Sequence, residues 1–299
     1  MINKSLKHNS FIHCLSMPFR MTYKSLSPVG YVKKEYRYIT GHKLNLDNPV
    51  RYTEKLQYLR LFYFPKNNEV IRCASKVGIK EFLKDKNHTE NIVPTIGIFD
   101  NFDDINFEKL PDAFVMKCSH GCAFNYLCYD KKNLDINKLR KMFNKWLKTD
   151  YGKKTVEPHY SKIKPQIIIE KLMLENDHLP TEYKIHIFNG KAKYLYVVTG
   201  RDGKLHYNNY YVDWTDFDRA QFNNWTKLDS DIKKPANLQE MIHICEDLAK
   251  DFPFCRVDLY SIDGHIYVSE MTFTPAKGTL TFKDDKADFE IGDWLTISK

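Results

Sequence analysis

The chain has 299 residues, 42% of them hydrophobic and 14% aromatic, with a formal net charge of +8. That is an ordinary globular composition, long enough for two or three closely packed subdomains, and no apolar run approaches the roughly 20 residues of a membrane span. The lysines behind the charge are spread out without a basic block; a compositional bias and the collection of anionic substrates such as nucleotides or acidic sugars explain that equally.

The N-terminus, MINKSLKHNSFIHCLSMPF, has no clean apolar core or small-residue cleavage site, so a cytoplasmic protein is expected. Seven cysteines form no CxxC pair. Cys118, Cys122 and Cys128 are near neighbours, but no His/Cys set completes a zinc site, and free thiols fit best. Residues 1 to 48 lack strong periodicity. Thr53 to Tyr63 carries Leu56, Leu59, Phe62 and Tyr63 at helical spacing until Pro65 breaks it. Ser75 is placed to cap a helix bearing Ile79, Phe82 and Leu83.

Ile92 to Phe99 suggests a short strand around Pro94, followed by an acidic loop, Asp100 to Asp104. Ala113 to Cys118 is a stronger strand, running into Ser119-His120-Gly121-Cys122-Ala123. Asp135 starts a helix with Ile136, Leu139, Phe143, Trp146 and Leu147 on one stripe. Gln166 to Ile169 reads as a buried strand ending at Glu170. Asn189-Gly190 marks a hairpin within Tyr183 to Arg201. Asn237 and Glu240 have capping-box spacing before a helix with Leu238, Met241, Ile242, Cys245 and Leu248 on one side. Mixed strands and helices with several hairpins indicate an α+β fold with antiparallel sheets.

Four features could carry chemistry. Lys117 closes a strand, and the small-residue turn after it can bring backbone N–H groups close to phosphate oxygens; a Lys at a strand end is also commonly just solvated. Glu170-Lys171-Leu172 could offer backbone groups and a carboxylate to a flat base, or simply end a strand. Lys184 shares a strand face with His186. The fourth feature is Phe252 to Pro275, two strands around Asp263-Gly264 with Arg256, Asp258 and Glu270 inside apolar runs. Arg256 and Asp258 share a face. Asp258 and Glu270 lie opposite each other if the hairpin loop has an odd number of residues. Opposed carboxylates repel, and a hard divalent cation such as Mg²⁺ between them would reverse that; a solvated outer face is the plain alternative.

The order of these features resembles the ATP-grasp superfamily, and within it the TupA-like family associated with teichuronopeptide and other surface-polysaccharide biosynthesis. The resemblance runs from about Asn48 to Trp294, carried by PVRYTEKLQYLRLFY, RCASKVGIKEFL, LPDAFVMKCSHGCAFN, IIIEKL, EYKIHIFNGK, FPFCRVDLY and YVSEMTFTP. It implies two α+β subdomains gripping ATP: a mostly helical N-terminal region at 1–70, a small subdomain at 71–165 and a large one at 166–299. By the same resemblance, Lys76 and Lys117 would hold phosphates and flank the adenine, and His120, Gly121, Cys122 and Ala123 would form the mobile phosphate loop. Glu170, Lys171 and Leu172 would be the adenine hinge, with Asp177 on the ribose hydroxyls. Lys184 and Arg256 would neutralise the transferred phosphate, and Asp258 and Glu270 would hold Mg²⁺, with Thr272 where many relatives have Asn. Ser75 in place of Asp, and Cys122-Ala123 in place of a more glycine-rich loop, depart from the pattern.

The implied activity is an ATP-dependent carboxylate–amine ligase working through an acyl-phosphate. Its expected substrates are a sugar uronate, free, nucleotide-linked or in a glycan, and an amino acid or other amine. Nucleic acid is not an expected partner. A glycan phosphotransferase or glycosyltransferase-type enzyme and a non-catalytic nucleotide-binding module are the alternatives.

Overall fold

A computed structural model describes residues 17–201, 203–223, 225–228 and 232–297. The stretch 1–16, the first part of the expected N-terminal region, lies outside the described residues. Two helices follow, α1 (Met17–Leu26) and α2 (Pro28–Thr40), where the sequence showed no strong period. Helix α2 buries Tyr31, Val32 and Tyr36 against Leu44 and Leu46. The expected helix over Thr53 to Tyr63 is present as α3 (Tyr52–Tyr58), continued by a π-helical turn, Leu59–Tyr63, and ended by a 3-10 turn containing Pro65. Arg60, in the π turn, is wholly buried. Its guanidinium donates to the Val156 carbonyl (2.7 Å) and the Lys277 carbonyl (2.9 Å), tying two distant loops to this helix.

Helices α4 (Asn68–Ala74) and α5 (Gly78–Asp85) flank Ser75. The Ser75 hydroxyl accepts from the amides of Val77 (3.3 Å) and Gly78 (3.2 Å), the capping role its position suggested. Strands β1 (Thr95–Phe99), β2 (Phe114–Cys118), β3 (Asn125–Cys128) and β4 (Ile167–Lys171) form an antiparallel sheet in the order β1-β4-β2-β3. Strand β4 therefore belongs by its hydrogen bonds to the first sheet, although it follows the expected boundary between residues 165 and 166. Helix α6 (Ile136–Leu147) starts where the Asp135 carboxylate accepts the Lys138 amide at 2.9 Å, a cap worth about 1 kcal/mol. It lays Leu139 and Phe143 on Met116, Ile167 and Ile169 of this sheet. Helix α7 (Tyr151–Thr155) is short.

The second sheet is also antiparallel, in the order β7-β6-β5-β8-β9, from β5 (Glu182–Phe188), β6 (Lys191–Thr199), β7 (His206–Tyr211), β8 (Phe254–Ile262) and β9 (His265–Thr272). Two of its turns are the tight hairpins expected. Asn189-Gly190 has φ of +47° and +79°, and Asp263-Gly264 has +51° and +79°, the left-handed pair that a type I′ turn demands and that glycine adopts without strain. Helix α8 (Leu238–Ala249) packs Met241, Cys245 and Leu248 into the core over β5, β6 and β8, and α9 (Lys286–Asp293) lies against α3. The capping box expected at α8 does not form. The Asn237 amide instead donates to the Ser261 hydroxyl (2.9 Å) and the Gly264 carbonyl (3.0 Å), so its side chain fastens the β8–β9 turn and makes no cap.

His159 lies buried between Phe64 and Tyr160, and neither ring nitrogen has a hydrogen-bond partner among the described residues. Burial, with Arg60 nearby, pushes its imidazole down from 6.5 to about 3. Between those values the unfolded chain binds a proton that the folded one does not, so stability falls as pH falls, by about 1.4 kcal/mol per pH unit. His159→Phe should remove one such slope from urea-unfolding stabilities measured between pH 6 and 4; a variant with the wild-type slope would contradict this.

Candidate active site

The two sheets face each other across a cleft of about 450 Å³. The four-stranded sheet contributes Val115, Lys117, Asn125 and Glu170 to its walls; the five-stranded sheet contributes Glu182, Lys184, Asp258 and Glu270. Of the residues singled out in the sequence, Lys76, Lys117, Cys122, Ala123, Glu170, Lys171, Leu172, Lys184, Asp258 and Glu270 all line this cleft.

Asp258 and Glu270 are direct cross-strand partners, but not through an odd loop. The two-residue turn pairs Ile262 with His265 and Leu259 with Val268, a register that by itself would set Ser269 opposite Asp258. The register shifts between Asp258 and Leu259, leaving Ser269 as the extra residue of a β-bulge and advancing Glu270 into place. The Ser269 hydroxyl closes the bulge by donating to the Asp258 carbonyl at 3.1 Å.

Asp258 is fully buried. Arg256 grips it from Nε (2.6 Å) and Nη2 (2.8 Å), and Lys184 donates to Oδ2. Lys184 also pairs with Glu182 (2.9 Å), which in turn meets Arg201 (2.5 Å). Burial raises the Asp258 carboxyl more than Arg256 and Lys184 lower it, and the charge of Glu270 adds to the rise. Glu270 moves the other way: burial raises it, but Lys184, Lys76 and Arg256 outweigh that and hold it well below the usual range.

Across the cleft, Glu170 is buried between two ammonium groups, Lys80 at 2.5 Å and Lys117 at 2.6 Å. Burial pulls Lys117 down, yet Glu170 and Tyr260 outweigh it and keep the ammonium above its ordinary value. Lys76 reaches over to the turn after β2, its Nζ donating to the Gly121 carbonyl at 2.7 Å. Gly121 has room for no side chain, because a Cβ would sit 2.9 Å from the Tyr151 ring.

Several expected roles are altered by this geometry. His120 is buried and directed at α6, where Nε2 meets the Trp146 carbonyl at 3.1 Å, so it anchors the loop from behind and does not line the cleft. Gly121 likewise contributes its carbonyl to Lys76 without lining the cleft. Asp177 is exposed in a tight turn at φ +64°, outside the cleft wall. Arg256 lies behind Asp258 and lines a neighbouring pocket. Lys80, Glu182 and Arg201 were missed, since in sequence each reads as a solvated charge and its partner lies on another element.

The fit to a metal ion can be judged from the donors. Among the described residues no three His, Cys, Asp or Glu side chains gather closely enough to hold an ion by themselves. A facing pair of carboxylates on the cleft wall suits Mg²⁺, which is commonly bound through one or two carboxylates plus substrate phosphates. The hydroxyl of Thr272, 3.3 Å from Glu270 Oε1, keeps the surroundings oxygen-rich. The donor set fits such an ion in kind, with Glu270 the open ligand, since both Asp258 oxygens are held by Arg256 and Lys184.

Residues 54–296 match the family model described as TupA-like ATPgrasp. Among solved structures, D-alanine–D-alanine ligase from Bacillus anthracis is similar at 18% identity, with 68% of this chain and 57% of that chain covered and a TM-score of 0.42. The Helicobacter pylori D-alanine–D-alanine ligase gives 15%, 84%, 68% and 0.43 for the same quantities. L-amino acid ligase from Bacillus licheniformis gives 12%, 70%, 42% and 0.42. The chain thus spans little more than half the length of the Bacillus anthracis ligase. No curated protein matches it. Among the described residues no helix is long and apolar enough to cross a membrane.

Proposed function

The chain belongs to the TupA-like ATP-grasp family, and from that premise we propose that it is an ATP- and Mg²⁺-dependent carboxylate–amine ligase of surface-polysaccharide biosynthesis. It joins a sugar uronate to an amino acid or other amine, and it works in the cytoplasm. The observation that carries this reading is the single cleft in which Lys76, Lys117 and Glu170 face Lys184, Asp258 and Glu270. In the same reading residues 71–165 and 166–299 are the two halves of the grip.

Val93, Val115, Leu127 and Leu172 supply an apolar surface for the adenine, and Lys76 and Lys117 set positive charge beside the phosphate chain. Glu170 keeps Lys117 charged and fixed in position. Asp258 and Glu270 would hold the Mg²⁺, which would draw charge from the phosphate oxygens. Lys184, backed by Arg256, stabilises the negative charge that spreads over the transferred phosphoryl group.

A carboxylate oxygen of the acceptor attacks the γ-phosphorus, and the bond to the leaving oxygen of ADP breaks. The amine nitrogen then attacks the acyl carbon of the resulting acyl-phosphate and loses a proton, the C–N bond forms, and inorganic phosphate departs with its C–O bond broken. The test is ADP release screened over uronic acids and nucleotide-linked uronates against amino acids, with products read by mass spectrometry. ADP release that needs both a carboxylate and an amine is expected. Release needing only a sugar hydroxyl would select a phosphotransferase instead, and saturable ATP binding without turnover a binding module.

A further inference from the structure

Beside the cleft lies a second pocket of about 350 Å³. Lys184, Arg201 and Glu270 line both spaces, so the two meet at a charged wall. Much of the rest is aromatic. The rings of Tyr207 and Trp225 lie 3.9 Å apart at 32°, and Phe222 braces Trp225 at 4.2 Å and 65°. Tyr207 and Trp225 are only part-buried, and both line the pocket.

A third side is the turn Pro275–Gly278, wound left-handed at Ala276 (φ +46°), Lys277 (+57°) and Gly278 (+67°). Two non-glycine residues are strained there, and such strain persists only where the surroundings impose it. They do: the Gln57 amide donates to the carbonyls of Lys277 (2.8 Å) and Gly278 (2.7 Å), and buried Arg60 donates to Lys277 as well. This wall is built, not left over.

The two arginines here differ. Arg256 is occupied by Asp258, Tyr196 and Thr272. Arg201 pairs with Glu182 through Nη2 alone among the described residues, so most of its five donors are open to another acceptor. A guanidinium with a free edge suits a carboxylate, which it can take in a two-point grip.

We propose that this pocket is the acceptor subsite, taking a pyranose ring that bears a carboxylate. The C–H face of the ring lies against the open face of the packed Tyr207–Trp225 pair, and the acid is held by Arg201 beside Lys184. The proposal rests on the ligase reading above and adds to it the place and shape of the acceptor. An aromatic face attracts the positive edge of C–H bonds, which a sugar ring presents as a sheet and a short aliphatic acid does not. A neutral sugar leaves Arg201 without its anion.

The test is calorimetry on the full chain with Mg²⁺ and a non-hydrolysable ATP analogue, using methyl glucuronide, methyl glucoside and phenylalanine as probes. The glucuronide should bind at least about tenfold tighter than the glucoside, and Arg201→Gln should abolish that preference. Tyr207→Leu and Trp225→Leu should each weaken both sugars roughly tenfold, whereas Trp225→Phe, which keeps a ring face, should stay within about threefold of wild type. Failure of the analogue itself to bind the wild-type chain would sink the ligase reading. With the analogue bound, the subsite is overturned by absent glucuronide binding, by binding indifferent to both leucine variants, or by preference for phenylalanine.

Discussion

Glu270→Gln is expected to abolish ATP turnover in the presence of both acceptors, a fall of at least about 10²–10³-fold. Its side chain is 38% exposed and its closest ion pair, with Arg256 Nη2, is 3.4 Å long, but Lys184, Lys76 and Arg256 together hold its carboxyl well below the usual range, so neutralising it also removes some folding stability. Asp258→Asn should lose turnover as well, but for a mixed reason. Asp258 is the common partner of buried Arg256 and Lys184, and neutralising it leaves these two cations only Glu270, 3.4 Å from Arg256, and Glu182, 2.9 Å from Lys184, to offset them. Breaking a buried pair in this way costs about 3–5 kcal/mol. ADP-release rates and urea midpoints should be read together for the two variants, with activity lost in both. Near-normal turnover in Glu270→Gln would remove the metal-site assignment.

The second large effect is expected on the opposite wall. Glu170→Gln leaves the ammonium groups of Lys80 and Lys117 on either side of a neutral amide with no negative charge between them, and about 3–5 kcal/mol of stability should go. Adding Lys80→Met removes one of the stranded charges and should recover part of the loss. The pH dependence follows from the same contacts. Burial raises the Glu170 carboxyl, but Lys117 and Lys80 outweigh it, so its folded value lies below the ordinary 4.5. Its contribution is complete above 4.5 and is lost as pH falls through the lower folded value. In Glu170→Gln that part of the acid limb should be missing from urea-derived stabilities measured from pH 6 downward. A loss under about 1 kcal/mol at pH 7, the range of an exposed pair, would show that the lysines find other partners.

Much of this molecule was legible because its signals are local. The turns Asn189-Gly190 and Asp263-Gly264 name their own geometry, Asp135 caps the helix it precedes, and the run from Ile167 to Ile169 is apolar because both faces are covered. The order of short motifs was enough for the family and the α+β class. Within the site, most of the lysines and carboxylates singled out in the sequence do meet in the cleft. His120, Gly121 and Asp177 do not line it, since a loop's sequence does not say which of its side chains turn inward.

The sequence by itself determined most of the strands, the two tight hairpins and the positions of charge along them, because alternation and turn chemistry act over a few residues; β3 and β7 were not read from it. Only the tertiary structure decided which charges meet. A bulge at Ser269 was needed to bring Glu270 across from Asp258. The packing of α5 was needed to bring Lys80 to Glu170, and the end of β6 to bring Arg201 to Glu182. Ion pairing inside a fold depends on distances of a few ångströms between elements far apart in the chain, and no local pattern encodes those distances.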